Sequence, residues 1–284
     1  MAAVVRWFDE TARDLPWRTR PDPWAVLVSE VMLQQTPVNR VLPVFETWMA
    51  RWPTPNALAG DRPGDAVRAW GRLGYPRRAL RLHAAATACV ERFDGNVPSD
   101  VADLRSLPGI GEYTAAAVAA FAFGQRQAVL DTNVRRVHGR WLDGSEHPLT
   151  PTASSSERSR ALQLLPSDPK DAAKASVSVM ELGALVCTSR TPQCSACPIT
   201  VHCAWRAAGY PRWEGPPRRG QKWAGTDRQC RGSLMAVLRE SDEPVTYASL
   251  THTWRDSEQR DRALASLVAD GLVVAEAGGR YRLP

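Results

Sequence analysis

Four cysteines within seventeen residues constrain this chain more than any other feature. Cys187, Cys194, Cys197 and Cys203 are spaced C-x6-C-x2-C-x5-C. Gaps this short crowd ordinary disulfides, whereas four thiolates readily surround one inorganic centre, either zinc or an iron–sulfur cluster. Zinc sites usually pair two C-x2-C units, and only one gap here is that short. The uneven spacing therefore favours a 4Fe–4S cluster over zinc. Such a centre needs reduced thiols, which points to a cytoplasmic protein. Cys89 and Cys230 lie apart, in helix-like surroundings, and read as packing residues.

The chain has no run of eighteen apolar residues and no signal-like N-terminus, so neither a membrane span nor a membrane partner is expected. Its formal net charge is +6, a mild bias towards polyanions. Arg72, Arg77, Arg78 and Arg81 form one basic cluster. Arg206, Arg212, Arg218, Arg219, Lys222, Arg228 and Arg231 form another, and both also read as ordinary solvated surface.

Up to about residue 210 the pattern is helical with short Gly/Pro punctuation, and nothing alternates with period two, so this part is all-α. Residues 24–36 are apolar on nearly every side and predict a buried helix. Further helices are expected over 38–51, 64–71 and 77–92, then over a short segment capped by Ser99 or Asp100. A small-residue helix opening on Glu112, and helices over 134–142, 156–165 and 171–186, complete this part. Residues 211–229 are Pro/Gly/Arg-rich and read as a linker. Helices over 230–240, 246–253 and 256–270, with two strands near 271–274 and 279–283, suggest a winged-helix-like module. Its third helix reads as a solvated face rather than a reader of bases.

Three segments carry chemistry. Leu107-Pro-Gly-Ile-Gly111 is a tight turn between two helices, where Gly109 and Gly111 leave the backbone bare. The free N–H groups of the following helix suit a phosphate oxygen. Glu30 sits in the apolar helix, where ionisation is expensive and its pKa should rise, as a proton donor requires. The burial pattern alone favours a plainer role, a carboxylate that reaches a solvent edge or pairs with an arginine. Asp131 stands where an apolar run turns into a helix, so it reads as an N-cap held ionised by the helix dipole. One protonated and one charged carboxyl together suit cleavage of a glycosidic bond.

With LPGIG at 107–111, the VLD aspartate at 131 and the cysteine motif, the chain resembles the helix–hairpin–helix DNA glycosylases that carry a 4Fe–4S cluster. Within that superfamily Ser29-Glu-Val-Met-Leu-Gln-Gln-Thr36, Leu15-Pro16-Trp17-Arg18 and Met180-Glu-Leu-Gly-Ala-Leu-Val-Cys187 resemble MutY-type adenine DNA glycosylases. The resemblance implies a six-helix barrel lobe over about 17–133, an iron–sulfur lobe from 1–16 plus 134–210, the linker, and the module at 230–284. It implies a monomer acting on double-stranded DNA with adenine opposite 8-oxoguanine or guanine, and a flipped base. It assigns Glu30 as the acid, Asp131 as the group facing the sugar cation, and Tyr113 and Asn133 as their supports. Arg13, Leu15, Trp17, Arg18 and Glu181 would line the adenine pocket. Gln34, Gln35, Thr36 and Tyr75 would work at the base stack, and Leu107, Gly109, Ile110 and Gly111 on the backbone phosphates.

Bifunctional endonuclease III-like members carry a lysine where this chain has Tyr113, so a monofunctional enzyme is expected. The chain departs from the family pattern at Tyr75-Pro76, where two tyrosines are usual, and at Thr132, where glycine is common. The segment after the linker is also too short for the nucleotide-hydrolase-like domain that many members use to check for 8-oxoguanine. The alternatives are a sibling that removes T from T·G, or a non-catalytic DNA-binding regulator. Glu30 argues against the first and the Glu30/Asp131 pair against the second.

Overall fold

The computed structural model describes residues 1–19, 22–215 and 223–284. Arg218, Arg219, Lys222 and the middle of the expected linker lie outside the described residues. The chain divides into two compact units, Met1–Glu30 with Pro98–Ser106 and Ile110–Pro217, and Val31–Val97 with Leu107–Gly109 and Arg218–Pro284. The C-terminal segment thus shares a unit with residues 31–97.

In chain order the helices begin with α1 (Ala2–Thr11), α2 (Pro16–Thr19) and α3 (Pro23–Leu33). There follow α4 (Val38–Arg51), α5 (Pro55–Ala59), α6 (Pro63–Ala69) and α7 (Arg77–Arg92). Then come α8 (Val101–Ser106), α9 (Glu112–Phe121), α10 (Thr132–Leu142), α11 (Ser155–Leu164), α12 (Pro169–Leu185) and α13 (Ala204–Ala207). The C-terminal segment supplies α14 (Asp227–Glu240), α15 (Tyr247–Thr251) and α16 (Ser257–Ala269). Between and after them run β1 (Val245–Thr246), β2 (Val274–Glu276) and β3 (Arg280–Arg282). The all-α expectation holds for the part before the expected linker, and the tail has a three-stranded antiparallel sheet ordered β1-β3-β2 rather than two strands. The added strand is two residues long, too short to show a period.

Side chains that compete with the backbone start these helices. Asp131 caps α10, Asp168 caps α12, Thr226 caps α14 and Asp256 caps α16. Ser154 and Glu157 form a reciprocal capping box on α11. Each such cap stabilises its helix by about 1 kcal/mol. In the first unit Val4, Val134, Val137, Val179, Leu182 and Ile199 form one core, so α1 and α10 pack on α12. Ala116, Ala117, Ala120 and Val129 form a second, tight core around α9, with Tyr113 packed against it.

Two features decide how the site elements approach. A Cβ on Gly183 would lie 2.8 Å from Asn133 Cβ and 2.9 Å from its carbonyl oxygen, so glycine lets α12 press on the start of α10. At the end of α3, Arg78 gathers the terminal carbonyls. Its Nη1 donates to the carbonyls of Val31, Met32 and Gln34 at 2.9, 3.0 and 2.6 Å, and its Nη2 to Thr36 Oγ1 at 2.9 Å. A cation at the negative end of the helix dipole satisfies acceptors that α3 itself cannot. Burial pushes the Arg78 pKa down to about 10, still far above neutrality. No helix among the described residues is long and apolar enough to cross a membrane.

Candidate active site

Glu30 lies on α3 among Val26, Leu27 and Val31 and is buried. The Tyr113 hydroxyl, from the first turn of α9, donates to Glu30 Oε2 at 2.9 Å. Burial raises the Glu30 pKa, the Tyr113 bond and the Arg18 charge oppose it, and the Asp131 charge adds to it. The result is a carboxyl at about 7. Glu30 therefore does not reach solvent, which is one of the plainer roles that the burial pattern alone allows. Burial, together with the Glu30 and Asp131 charges, also pushes the Tyr113 phenol well above its ordinary range, so it stays a donor.

Asp131 is the N-cap of α10, as its place in the sequence suggests. Its Oδ1 accepts from the Val134 N–H at 2.6 Å and its Oδ2 from Asn133 Nδ2 at 2.8 Å. Burial nevertheless raises its pKa, against both bonds and the Arg136 charge. The expected contrast between the two carboxyls is therefore narrower than the N-cap role alone suggests. Desolvation acts on both, and what separates them is the set of donors that only Asp131 receives.

A third carboxyl, that of Glu181, organises the N-terminal residues. Glu181, on α12 and fully buried, receives Arg13 Nε and Nη2 at 2.8 and 2.6 Å and Arg18 Nη2 at 2.9 Å. Burial alone would raise its pKa, but the bonds from Arg13 and Arg18 outweigh it and hold the carboxyl at about 2. Leu15 and Trp17 are buried beside these arginines in sequence. Nη1 of Arg18 is buried and makes no hydrogen bond within the protein. Arg18 is thus an ion-pair partner of Glu181 and also a charge felt by Glu30, which brings three of the five expected pocket positions, Arg13, Arg18 and Glu181, into one electrostatic group with the Glu30 carboxyl.

The remaining expected residues divide. Gln35 is exposed in the left-handed region (φ 57), while Thr36 is buried and bonded to Arg78, so it holds the turn rather than standing at a surface. Tyr75 is 44% exposed and left-handed (φ 48). In the hairpin, Leu107 and Ile110 point into the core, and Gly109 (φ 80) lies so close to Arg81 that a Cβ would sit 2.7 Å from the Arg81 Cβ. Gly111 caps α9.

All four cysteines line a single cavity, with Arg140 and Trp205. Among the described residues no three His, Cys, Asp or Glu side chains converge as ligands of one ion would. Burial pushes the Cys197 thiol up to about 11, and each neighbouring cysteine charge pushes it further. Four cysteine sulfurs lining one cavity suit a cationic group, which would offset the mutual repulsion of their thiolates. Arg140 Nη1 donates to Cys187 Sγ at 3.4 Å and to the Thr188 carbonyl at 2.7 Å, and its guanidinium lies 4.6 Å from the Trp205 ring centroid.

Arg136 and Arg140 escaped the sequence reading. Arg136 donates to Asn133 Oδ1 at 2.8 Å, to the Gly183 carbonyl at 2.7 Å and to the Cys187 carbonyl at 2.8 Å. The spacing of 133, 136 and 140 puts all three side chains on one face of α10, a signal present in the sequence.

The family model described as HhH-GPD superfamily base excision DNA repair protein matches residues 28–162. The adenine DNA glycosylase of Mycobacterium tuberculosis (strain H37Rv) is 52% identical over 283 residues, covering 99% of this chain and 92% of that protein. The adenine DNA glycosylase of Mycolicibacterium smegmatis is 51% identical, with 99% and 94% covered. Among solved structures, a thermostable thymine-DNA glycosylase superposes with a TM-score of 0.65 at 24% identity, over 73% of this chain and 94% of that one. That likeness speaks for the fold alone.

Proposed function

The chain belongs to the adenine DNA glycosylases of the HhH-GPD superfamily, and we propose that it hydrolyses the N-glycosidic bond of adenine mispaired with 8-oxoguanine or guanine in duplex DNA. One observation carries this reading: a buried carboxyl held near pKa 7 stands beside a second one clamped by an N-terminal N–H and an asparagine amide.

The reacting bond is shielded in the duplex, so the adenine must leave the stack. Glu30 then gives its proton to the purine ring, which makes it a better leaving group. Asp131 faces the sugar as positive charge develops there, or traps it before water arrives. Tyr113 fixes the Glu30 carboxyl, and Asn133 fixes that of Asp131. Arg13, Leu15, Trp17, Arg18 and Glu181 form the adenine pocket, and the buried Arg18 Nη1 is a donor suited to an acceptor on the base. Gln34, Gln35 and Tyr75 act at the stack, with Thr36 as their support. Gly109, Gly111 and the N–H groups opening α9 take a backbone phosphate, with Leu107 and Ile110 anchoring the turn. Glu112, in that first turn, has its charge engaged by Arg158 at 3.2 Å.

Cys187, Cys194, Cys197 and Cys203 would hold a 4Fe–4S cluster. That group supplies cross-linking of the 187–203 loop, and base removal needs no redox step.

The deciding assay incubates the protein with duplexes carrying A·8-oxoguanine, A·G or T·G, then adds alkali. Breaks should appear at the mispaired adenine and disappear in Glu30→Gln. Breaks at T, or none at A, would overturn the reading.

A further inference from the structure

The helix that follows the hairpin begins with an acid. α9 opens on Gly111, which has no side chain to cap it, whereas α10, α11 and α12 each begin with a capping side chain. Its first residue is Glu112, whose side chain is 57% exposed. An acid in the first turn suits the helix dipole. The same carboxylate repels a phosphate that approaches the N–H groups beside it. Glu112 thus favours the helix and opposes its ligand, unless another charge answers it. Tyr113, the next residue, donates to Glu30 at 2.9 Å, so one turn of α9 serves both the DNA backbone and the acid.

Arg158 of α11 supplies that charge. Its Nε lies 3.2 Å from Glu112 Oε1, and its Nη1 donates to Glu112 Oε2 at 3.3 Å and to the Ala153 carbonyl at 2.8 Å. The guanidinium is therefore held by its own chain on one side and meets both carboxylate oxygens on the other. α11 buries only Ala161, yet polar contacts fix it at both ends. At its start, beside the capping box, Arg135 donates to Glu157 Oε1 at 3.0 Å and to the Thr150 and Thr152 carbonyls at 2.9 and 3.1 Å. At its end Arg126 donates to the carbonyls of Leu162, Leu165 and Pro166. The helix that carries Arg158 thus has its own anchors and does not depend on the Glu112 pair. An ion pair this exposed adds little to stability, so its worth lies elsewhere.

We propose that Arg158 is a positioning residue for DNA: it masks the Glu112 charge so that the opening of α9 can take the backbone phosphate. The arginine makes no phosphate contact of its own in this role. It cancels a repulsion, and the pair of side chains presents no net charge to the strand. Position 158 lies outside the hairpin motif, about forty-six residues along the chain from the acid it answers. This rests on the hairpin–phosphate reading above.

The test measures, at one fixed salt concentration, binding by the full chain to a duplex carrying a non-cleavable adenine analogue opposite 8-oxoguanine. Arg158→Ala unmasks the acid and should weaken binding about tenfold, the scale of one unscreened charge near a surface. Glu112→Gln keeps the shape without the charge and should bind as tightly as wild type or more tightly. The double variant should fall within about twofold of Glu112→Gln, because the arginine then has nothing to mask. No loss in Arg158→Ala would overturn the proposal. Equal losses in the two single variants would also overturn it, by marking a plain tie between helices. So would a loss that persists in the double variant, by marking a direct phosphate contact. Thermal melts establish that each variant is folded, and Arg158→Met repeats the cycle should the alanine variant not fold. Gly109→Ala tests the parent reading separately, since it strains the turn at a positive φ and should weaken binding. Wild-type affinity in Gly109→Ala would sink the hairpin reading, whereas weakened binding there beside an unchanged Arg158→Ala would sink the masking alone.

Discussion

The Tyr113 hydroxyl donates to Glu30 Oε2 at 2.9 Å, and this bond works against the burial that raises the Glu30 pKa. The acid is therefore a balance between desolvation and one phenol. Excision should be fast below about pH 7 and fall as Glu30 ionises. Glu30→Gln should lose about 10²–10⁴-fold in single-turnover rate, the usual worth of a general acid. Tyr113→Phe removes a bond that lowers the Glu30 pKa, so the alkaline limb should move to higher pH while the maximal rate falls a few-fold. A limb that stayed in place would show that Glu30 is not the group titrating.

The same burial makes Glu30 a stability liability with a definite pH window. Its folded pKa lies above its ordinary value, from 4.5 to about 7. The folded state therefore holds a proton that the unfolded state has released, and stability falls as pH rises through that window. At 1.36 kcal/mol per unit the total is about 3 kcal/mol. Thermal melts of Glu30→Gln should match wild type near pH 4.5 and exceed it above pH 7. A gap independent of pH would contradict the assignment.

Tyr113 also decides the fate of the sugar. A phenol cannot form a Schiff base with the opened sugar, so strand cleavage should await added alkali. Borohydride should trap little covalent enzyme–DNA complex from wild type, and abundant trapping would refute monofunctional action.

Much of this site was legible in the sequence, for physical reasons that differ residue by residue. The apolar wheel around Glu30 and the glycines at 109 and 111 are local signals, and the structure bears out the buried helix and the tight turn. The raised pKa of Asp131 was not legible, because its desolvation comes from elements distant in sequence while its N-cap role is local. Arg136 and Arg140 were passed over because a helical arginine usually faces solvent, yet here they bind carbonyls of 183–189 from a buried face. The burial of Thr36 was not legible, because Arg78 and the Leu73 carbonyl that bind its hydroxyl are distant in sequence. Helices α1, α2 and α5 went unexpected, two of them because five residues or fewer carry too little periodicity.

Gly183 offers a test of how tightly the acid–pocket helix and the Asp131 helix must meet. A methyl group there would enter the 3.0 Å range of Asn133 Cβ, carbonyl carbon and oxygen. Backbone cannot give way as a flexible side chain would, so Gly183→Ala should cost about 1–3 kcal/mol in denaturant unfolding. Because Asn133 also holds Asp131, excision at a temperature where the variant is folded should drop as well. Full activity with lowered stability would separate the packing from the chemistry.

The cysteine cavity predicts where loss of the cluster would be felt. Arg140 and Arg136 bind Cys187 through its sulfur and its carbonyl, so the start of the loop is already held by α10. Between Cys194, Cys197 and Cys203 run only two short 3-10 turns, with Ile199 buried in the core beside them. A cluster held by the four cysteines would cross-link this half of the loop beside its basic neighbour Arg206. Purified wild type should contain iron rather than zinc and show a visible thiolate–iron band. Cys197→Ala should lose that band and bind duplex DNA more weakly, with a shallower dependence on salt because fewer phosphate contacts form. Unaltered DNA affinity and salt slope in a variant shown to lack iron would remove the loop from the DNA interface.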